Sequence, residues 1–375
     1  MMRVDVVYVN YNSTAWLARS IASLLAAPPQ GFALGAVVVV DNASSPADQA
    51  LLDGLPDAVR VVRAGANRGF AAGCNLGARA GDAPALLFLN PDTRVLADTL
   101  PPMVPTWHAR AGRVLLGPRH FMDDACTLGF APLHGTAWHT GVSNALWGRG
   151  FAPDPSLRAL RARVALWRAE RPTPVRALSG GALLVGRAAY EELGGFDERY
   201  FLYVEDTDLC LRARKRGIDV LYEPRARIVH YGDQSSRQDA GAADGAAAAS
   251  ERVYLRKFHG VVSRGVRRLV LSLATRLPAR QRRWGAGSAT TVAHVFERPG
   301  RGPWVVELAR SPMFDHGVTV FPDGDTFGLP ADLWPRLRPG RYFARIAEED
   351  DVGAWHERAL FVVDNPGGGK PGAAE

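Results

Sequence analysis

The sequence predicts an α/β domain on a doubly wound, largely parallel sheet, then a basic helical connector, then a small all-β, sandwich-like region. Three observations carry this expectation. Val-rich apolar runs alternate with segments of helical periodicity from residue 3 to about residue 236, ten basic residues and one acidic residue crowd between Glu251 and Gly285, and beyond Gly285 short apolar runs are cut by Gly/Pro turns. The corresponding division is 1–245, 246–284 and 285–365, with a disordered Pro/Gly/Ala-rich tail expected over 366–375.

Taken in order, Val4-Asp5-Val6-Val7-Tyr8-Val9 reads as the first strand. Asn12 or Ser13 can cap a helix in which Trp16/Leu17, Ser20/Ile21 and Leu24/Leu25 recur at helical spacing until Pro28-Pro29 stops it. Ala36 to Val40 is a continuous apolar run ended by Asp41-Asn42, the pattern of a strand buried on both faces. Val59 to Val62 supplies a third strand, a helix follows Gly69, and Leu86 to Leu89 supplies a fourth, closed by Asn90-Pro91-Asp92. A helix-like stretch over Ser156–Glu170 leads to Ser179-Gly180-Gly181, an apolar strand through Val185 and a helix ending in Gly194-Gly195. Asp206–Lys215 reads as a helix closed by Gly217, Asp219–Tyr222 as a short strand, and the Ala/Gly/Asp-rich run Asp239–Ala249 as a linker. Leu255, Phe258, Val262, Val266, Leu269 and Leu273 then recur at roughly helical spacing. The last region holds five strand-like runs: Thr291–Phe296, Trp304–Leu308, Val318–Phe321, Tyr342–Ile346 and Ala359–Val363.

A chain of 375 residues that is 47% hydrophobic is large enough for two or three domains with real cores, which excludes disordered and fibrous classes. The net charge of +7 is not spread evenly. The segment between Glu251 and Gly285 carries a local +9, leaving the remainder at about −2, so the protein is not a generally basic nucleic-acid binder. Cys74, Cys126 and Cys210 lack CxxC spacing, which argues against a zinc site or a disulfide framework and fits a reducing compartment. The chain opens on a strand-like run with no secretory pattern, and its longest uncharged stretch, Cys126 to Gly148, is too rich in Gly, His and Thr to span a membrane. A cytoplasmic protein is expected.

Ligands in doubly wound sheets bind outside the carboxyl ends of the strands. Asp41 stands at the end of the second strand, Asn67-Arg68-Gly69-Phe70 follows the third and Asn90-Pro91-Asp92-Thr93 the fourth. A carboxylate suits a pyrimidine imide or a ribose hydroxyl, glycines admit close approach of a sugar, and a carboxylate beside a diphosphate commonly shares a divalent cation with it. Each is also an ordinary turn residue; it is their succession that points to a nucleotide.

The ordered set Val9-Asn10-Tyr11-Asn12, Val40-Asp41-Asn42-Ala43-Ser44, Asn67-Arg68-Gly69-Phe70, Asn90-Pro91-Asp92-Thr93, Gly194-Gly195-Phe196-Asp197 and Glu205-Asp206-Thr207-Asp208-Leu209 closely resembles family 2 glycosyltransferases, in particular the rhamnosyltransferase-like branch. The resemblance implies a GT-A type nucleotide-diphospho-sugar transferase domain. It implies a donor site formed by Asn10, Tyr11, Asp41, Asn67, Gly69, Asn90 and Asp92, with Asp41 on the nucleoside. Asp92 takes the last place of the family's Asp-x-Asp metal motif, while Asn90 stands where its first Asp would be, a departure that halves the formal negative charge. His230, in Ile228-Val229-His230-Tyr231-Gly232, matches a histidine that helps hold metal or diphosphate, so Asp92 and His230 are the expected ligands of a Mg or Mn ion. Asp206 is the implied general base of an inverting transfer, with Glu205 beside it able to raise one of the two pKa values.

Asp206-Thr207-Asp208 also spells Asp-x-Asp, but residues two apart do not share a helix face and Asp208 lies four before Arg212, an ordinary ion pair. Asp323-Gly324-Asp325 repeats the spelling inside a turn. Gly180 and Gly181 bring backbone N–H groups toward donor or acceptor, or serve tight packing. Trp138, His139 and Trp147, with His134 nearby, suit stacking on an acceptor sugar, and equally a packed loop. The basic segment interleaves Arg with Leu, Val and Phe, as in an amphipathic helix lying in an anionic membrane interface or in a solvated face packed on the domain.

The function expected is transfer of a sugar, rhamnose first, from a dTDP- or UDP-sugar to a polysaccharide or lipid-linked glycan, peripheral at the inner face of the cell membrane. A galactofuranosyl or other hexosyl transferase stands close behind, and a catalytically silent sugar-nucleotide or glycan binder is the rival of a different class. Nucleic acid is not expected as a partner, and a homo-oligomer stays open. A nicotinamide dehydrogenase is a third option, but Asn10-Tyr11-Asn12 stands where GxGxxG would be needed and the phosphate-binding turn is missing.

Overall fold

The computed structural model describes residues 1–130, 142, 145–146, 155–232, 240–276, 285–289, 295–311, 314, 317–330, 340–351 and 357–363. Packing divides the chain into two compact units. One comprises Met1–Met122, Pro132–Thr140 and Arg168–Leu271, and the other Asp123–Ala131, Gly141–Trp167 and Ser272–Glu375.

Along the chain run β1 (Met2–Asn10), α1 (Thr14–Ala26), β2 (Phe32–Asp41), α2 (Pro46–Leu52), β3 (Val59–Arg63), α3 (Phe70–Ala78), β4 (Ala85–Leu89), β5 (Thr93–Val95), α4 (Met103–Ala109) and β6 (Val114–Phe121). Then come β7 (Gly129–Phe130) and α5 (Pro155–Trp167), both in the second unit, followed by β8 (Thr173–Pro174), β9 (Ala182–Gly186), α6 (Arg187–Glu192), α7 (Glu205–Lys215), β10 (Asp219–His230), α8 (Ala240–Phe258) and α9 (Val261–Arg276), whose residues from Ser272 on belong to the second unit.

In the first unit the strands lie in the order β10-β6-β9-β4-β1-β2-β3, with β5 and β8 on β10. β4, β1, β2 and β3 are mutually parallel, as the two-face apolar runs predict. The sheet is nevertheless mixed: β9 runs antiparallel between β4 and β6, and β5 antiparallel on β10. Val4, Val6 and Tyr8 of β1 join Leu17, Ile21 and Leu24 of α1 in the core, so the helical spacing read in the sequence is the buried stripe of α1. Ser13 is the N-cap residue of α1, one of the two expected, but its side chain does not cap the helix. Ser13 donates to Asn10 Oδ1 (2.9 Å), and Asp48 on α2 takes the Thr14 amide instead (3.1 Å).

Two sequence readings are corrected. The expected short strand at Asp219–Tyr222 continues to His230, because Pro224 falls where the register against β6 shifts and does not end the strand. The expected linker Asp239–Ala249 is helical from Ala240 onward; its alanines favour helix more than its glycines oppose it. β6, unremarked in the sequence, is a buried strand.

In the second unit β11 (Gly285–Ala289), β12 (Val295–Glu297), β13 (Trp304–Ala309), β14 (Val318–Val320), β15 (Thr326–Gly328), β16 (Gly340–Glu348) and β17 (Glu357–Val363) form a sheet ordered β11-β17-β16-β13-β14-β7 and a separate β12-β15 pair. α5 covers the sheet with Leu160 against Val305 and Ala347, and Trp167 stacks on Phe321 at 4.6 Å. Behind this apolar layer Glu307 is buried between Arg163 and Arg345, and Arg345 also donates to Ser156 Oγ (2.7 Å). Asp323-Gly324-Asp325 holds a turn: the Gly324 carbonyl accepts from Trp304 Nε1 (2.8 Å) and Asp325 pairs with Arg298. No helix among the described residues is long and apolar enough to cross a membrane.

Candidate active site

Sheet register decides which polar residues meet. Asn10 and Asp41 are paired last residues of parallel neighbours β1 and β2, and β4 ends beside them at Leu89. Antiparallel β9 brings its beginning to this same edge: Leu89 faces Ala182, and the Asn90 amide donates to the Gly181 carbonyl (3.0 Å). β10 brings its end, since His230 pairs with Thr93. Strand ends two, three and four therefore converge as the sequence predicts, the start of antiparallel β9 adds Gly180 and Gly181, and the end of β10, which runs parallel to β6, adds His230.

On one side of this edge lies a cradle built from β1, β2 and the turn after β3. Asp41 is buried; one carboxylate oxygen accepts the Ser44 amide (3.1 Å) and the other meets Arg63 (3.3 Å). Asn10 Nδ2 is shared among Thr14 Oγ1, Ser44 Oγ and Asp48 Oδ2, so its side chain braces the edge, while Tyr11 is exposed there. Asn42, a residue quoted in the sequence motif without a role, ties the cradle together: its amide donates to Asn67 Oδ1 (2.9 Å) and the Gly69 carbonyl (3.1 Å), and its oxygen accepts the Arg68 amide (3.1 Å). Gly69 has φ +86°, and a Cβ on it would stand 2.2 Å from the Phe201 carbonyl oxygen, so only glycine fits. That carbonyl accepts the Phe70 amide (2.8 Å), which fastens the turn to the loop before α7.

At the centre, His230 Nε2 lies 3.2 Å from Asp92 Oδ1 and 3.3 Å from Asn90 Nδ2. Asp92 and His230 are both largely buried. A Cβ on Gly181 would meet the His230 ring at 2.5 Å, so the absence of a side chain there is what admits the imidazole. His120 of β6 stands behind, its ring centroid 5.7 Å from that of His230; burial and the neighbouring imidazole push its pKa well below the usual histidine range. Among the described residues no three or more His, Cys, Asp or Glu gather as a metal cluster. One carboxylate oxygen and one imidazole nitrogen 3.2 Å apart are donors a divalent cation takes, and they are too few for a closed structural site.

Glu205 and Asp206 open α7 and are buried. Asp206 accepts the Gly180 amide on Oδ2 (2.9 Å) and the Thr207 amide on Oδ1 (2.6 Å). Burial raises its pKa and these hydrogen bonds oppose the rise. Burial, reinforced by Asp206, pushes the Glu205 carboxyl well above the usual range, and its Oε2 has no hydrogen-bond partner among the described residues. Neither acid has a salt bridge among those residues. Asp208, two positions on, is fully buried between Arg212 Nε (2.6 Å) and Lys257 Nζ (2.6 Å), with Tyr200 OH at 3.1 Å, which matches its reading as a structural ion pair. Tyr203 and Val204, just before the acids, have φ of +67° and +72°. Such a conformation is costly for a β-branched residue, and its position at a candidate site is where backbone strain is commonly held. Ser250 on α8 braces this loop through the Leu202 carbonyl (2.8 Å).

The structure thus joins Asp206, Gly180, Gly181, His230, Asn90 and Asp92 in one continuous set. Trp138, His139 and Trp147 lie outside the described residues. Sequence reasoning left out Asn42, His120, Thr207 and Lys257; of these only Asn42 and Thr207 sat within a motif, and nothing local marks His120 or Lys257.

The sequence model described as Glycosyl transferase family 2 matches residues 5–130. An N-acetylglucosaminyl-diphospho-decaprenol L-rhamnosyltransferase of Mycobacterium tuberculosis is 34% identical over 251 residues, covering 63% of this chain and 78% of that protein. A low-salt glycan biosynthesis hexosyltransferase, Agl10, of Haloferax volcanii is 24% identical over 189 residues, covering 49% and 54%. Among solved structures, a mannosyltransferase from Pyrobaculum calidifontis in complex with GDP-Man and Mn2+ aligns with a TM-score of 0.43 at 15% identity, over 73% of this chain and 80% of that one. The chain belongs to glycosyl transferase family 2 and is a glycosyltransferase whose α/β domain is of the GT-A type.

Proposed function

We propose that this family 2 member is an inverting rhamnosyltransferase that moves the sugar of a dTDP- or UDP-linked donor onto a lipid-linked diphospho-glycan. The observation that carries the chemistry is the continuous set from Asp206 through Gly180 and Gly181 to His230 and Asp92: at one end a buried carboxylate with no cation beside it among the described residues, at the other a metal-compatible pair. The sugar and the acceptor class rest on the Mycobacterium tuberculosis relative, which is named for L-rhamnose transfer to N-acetylglucosaminyl-diphospho-decaprenol. Such an acceptor calls for an enzyme working from the cytoplasm at the inner face of the membrane.

In this reading Asp41 receives the nucleoside and the Asn67–Gly69 turn lines the donor. Asp92 Oδ1 and His230 Nε2 would hold a Mg or Mn ion, which when bound offsets negative charge on the departing nucleoside diphosphate. Asp206 takes the proton of the acceptor hydroxyl as that oxygen attacks the anomeric carbon, and its raised pKa makes it a better base than an exposed aspartate. Burial and the Asp206 charge beside it push the Glu205 carboxyl well above the usual range, so the two acids disfavour being charged together.

A thermal-shift screen of nucleoside diphosphate sugars with and without Mn or Mg tests the donor half, since a ligand of the native state raises its melting temperature. dTDP-rhamnose is expected to give the largest metal-dependent shift. A larger shift with a UDP-hexose would overturn the sugar assignment, and donor binding without transfer to any lipid-linked acceptor would identify a silent binder.

A further inference from the structure

We propose that α9 docks the enzyme on an anionic membrane surface through an exposed stripe of Val262, Val266, Leu269 and Leu273. These residues follow one another at i, i+4, i+7 and i+11, which places them within an arc of roughly 60° on a helix of 3.6 residues per turn. All four are exposed, Val262 at 81% and Leu269 at 60%, while Ala274 is the buried residue of the helix. An apolar stripe on a helix ordinarily faces a core; here it faces outward, and its partner is therefore outside the described chain.

Charge selects the occupant. The structure sorts the basic segment into two classes. Lys257 is consumed by Asp197 (2.7 Å) and Asp208 (2.6 Å), and Arg267 by Glu251 (2.9 Å), so these two hold the helices in place. Arg252 and Arg256 on α8, and Arg268 and Arg276 on α9, are exposed and make no ion pair among the described residues. α9 itself contains no acidic residue. On the helical wheel Arg276 adjoins the stripe and Arg268 lies about 100° round from it. An apolar stripe on a helix with exposed guanidinium groups and no acid matches the boundary between acyl chains and anionic headgroups, whereas a second copy of the same cationic helix would repel it. α8 is pinned to α7 by Lys257, so a docked α9 also fixes the unit that carries Asp206 near a surface.

This inference stands apart from the glycosyl-transfer reading, and its test reads lipid binding, not activity. The full chain is sedimented with vesicles of phosphatidylcholine alone and with vesicles in which about a third of the lipid is phosphatidylglycerol, at about 0.1 M salt. The wild-type chain is expected to co-sediment with the anionic vesicles. Val262→Ser/Val266→Ser/Leu269→Ser/Leu273→Ser should reduce the bound fraction at least about tenfold, and Arg252→Gln/Arg256→Gln/Arg268→Gln/Arg276→Gln should abolish the preference for anionic lipid, at roughly fivefold per residue. Leu269→Ser alone, with an unchanged melting temperature, guards against a folding defect and should lower binding severalfold. Wild-type protein that stays in the supernatant, serine variants that bind like wild type, or a stripe whose loss changes oligomeric state but not vesicle binding would each overturn the proposal.

Discussion

Two buried acidic centres in this protein are treated in opposite ways. In the second unit Glu307 is enclosed by the guanidinium groups of Arg163 and Arg345: it is a charge neutralised inside a sheet-and-helix layer. In the first unit Glu205 and Asp206 are about as buried, yet among the described residues they have backbone amides and a hydroxyl for company and no cation. A buried acid with its counter-ion is architecture, because removing either partner strands the other. A buried acid without one keeps a raised pKa, the property a general base needs. α7 repeats the contrast within four residues, since Asp208 is saturated by Arg212 and Lys257.

The comparison can be broken most forcefully at Asp206. Asp206→Asn is expected to lower transfer by about 10²–10⁴-fold while leaving donor affinity within a few-fold, measured by single-turnover product formation beside calorimetric donor binding. Full activity in that variant would move the base elsewhere. Glu307→Ala should act on stability instead, costing the second unit about 3–5 kcal/mol because two guanidinium groups lose their shared acid; amide hydrogen exchange in β13 and β16 would report it, and unchanged protection would show the cluster to be dispensable. Asp92→Ala is next, with metal-dependent donor affinity expected to fall about 10–100-fold and metal-independent affinity little changed.

Glu205→Gln sharpens the electrostatic half. The folded-state pKa of Glu205 is raised, so its contribution to stability is fully present below the unfolded value and is lost as pH rises through the folded one. Glutamine does not titrate. Melting temperatures of variant and wild type should therefore agree near pH 4, and the variant should be the more stable near pH 8; parallel curves would refute the burial effect. The smallest change is expected from Val204→Gly, which relieves a left-handed β-branched residue and should stabilise by up to about 1 kcal/mol while slowing transfer severalfold.

Much of this site is legible in the sequence because its residues end strands, and strand ends announce themselves: an apolar run stops at Asp41, another at Asn90, a helix opens at Glu205. The Asp208–Arg212 pair is equally plain, since helical spacing brings residues four apart together whatever surrounds them. What escapes local reading is whatever depends on a partner far along the chain. Lys257 sits in a basic run and looks like surface charge until α8 packs beside α7 and sets its ammonium between Asp197 and Asp208. His120 looks like one residue of an apolar stretch until β6 and β10 pair and bring it to His230.

The alternation of strands and helices in the first unit, the polar residues at the ends of its parallel strands and the location of the excess positive charge are all legible in the amino-acid order, because each is written in residues close together. Long-range packing, by contrast, is what turns β9 antiparallel and so delivers Gly180 and Gly181 to the Asn90–Asp92 edge, makes the expected linker a helix bracing the loop before Asp206, and sets which arginines face solvent. Those outcomes turn on strand direction and long-range register, which a period of two or of 3.6 residues cannot encode.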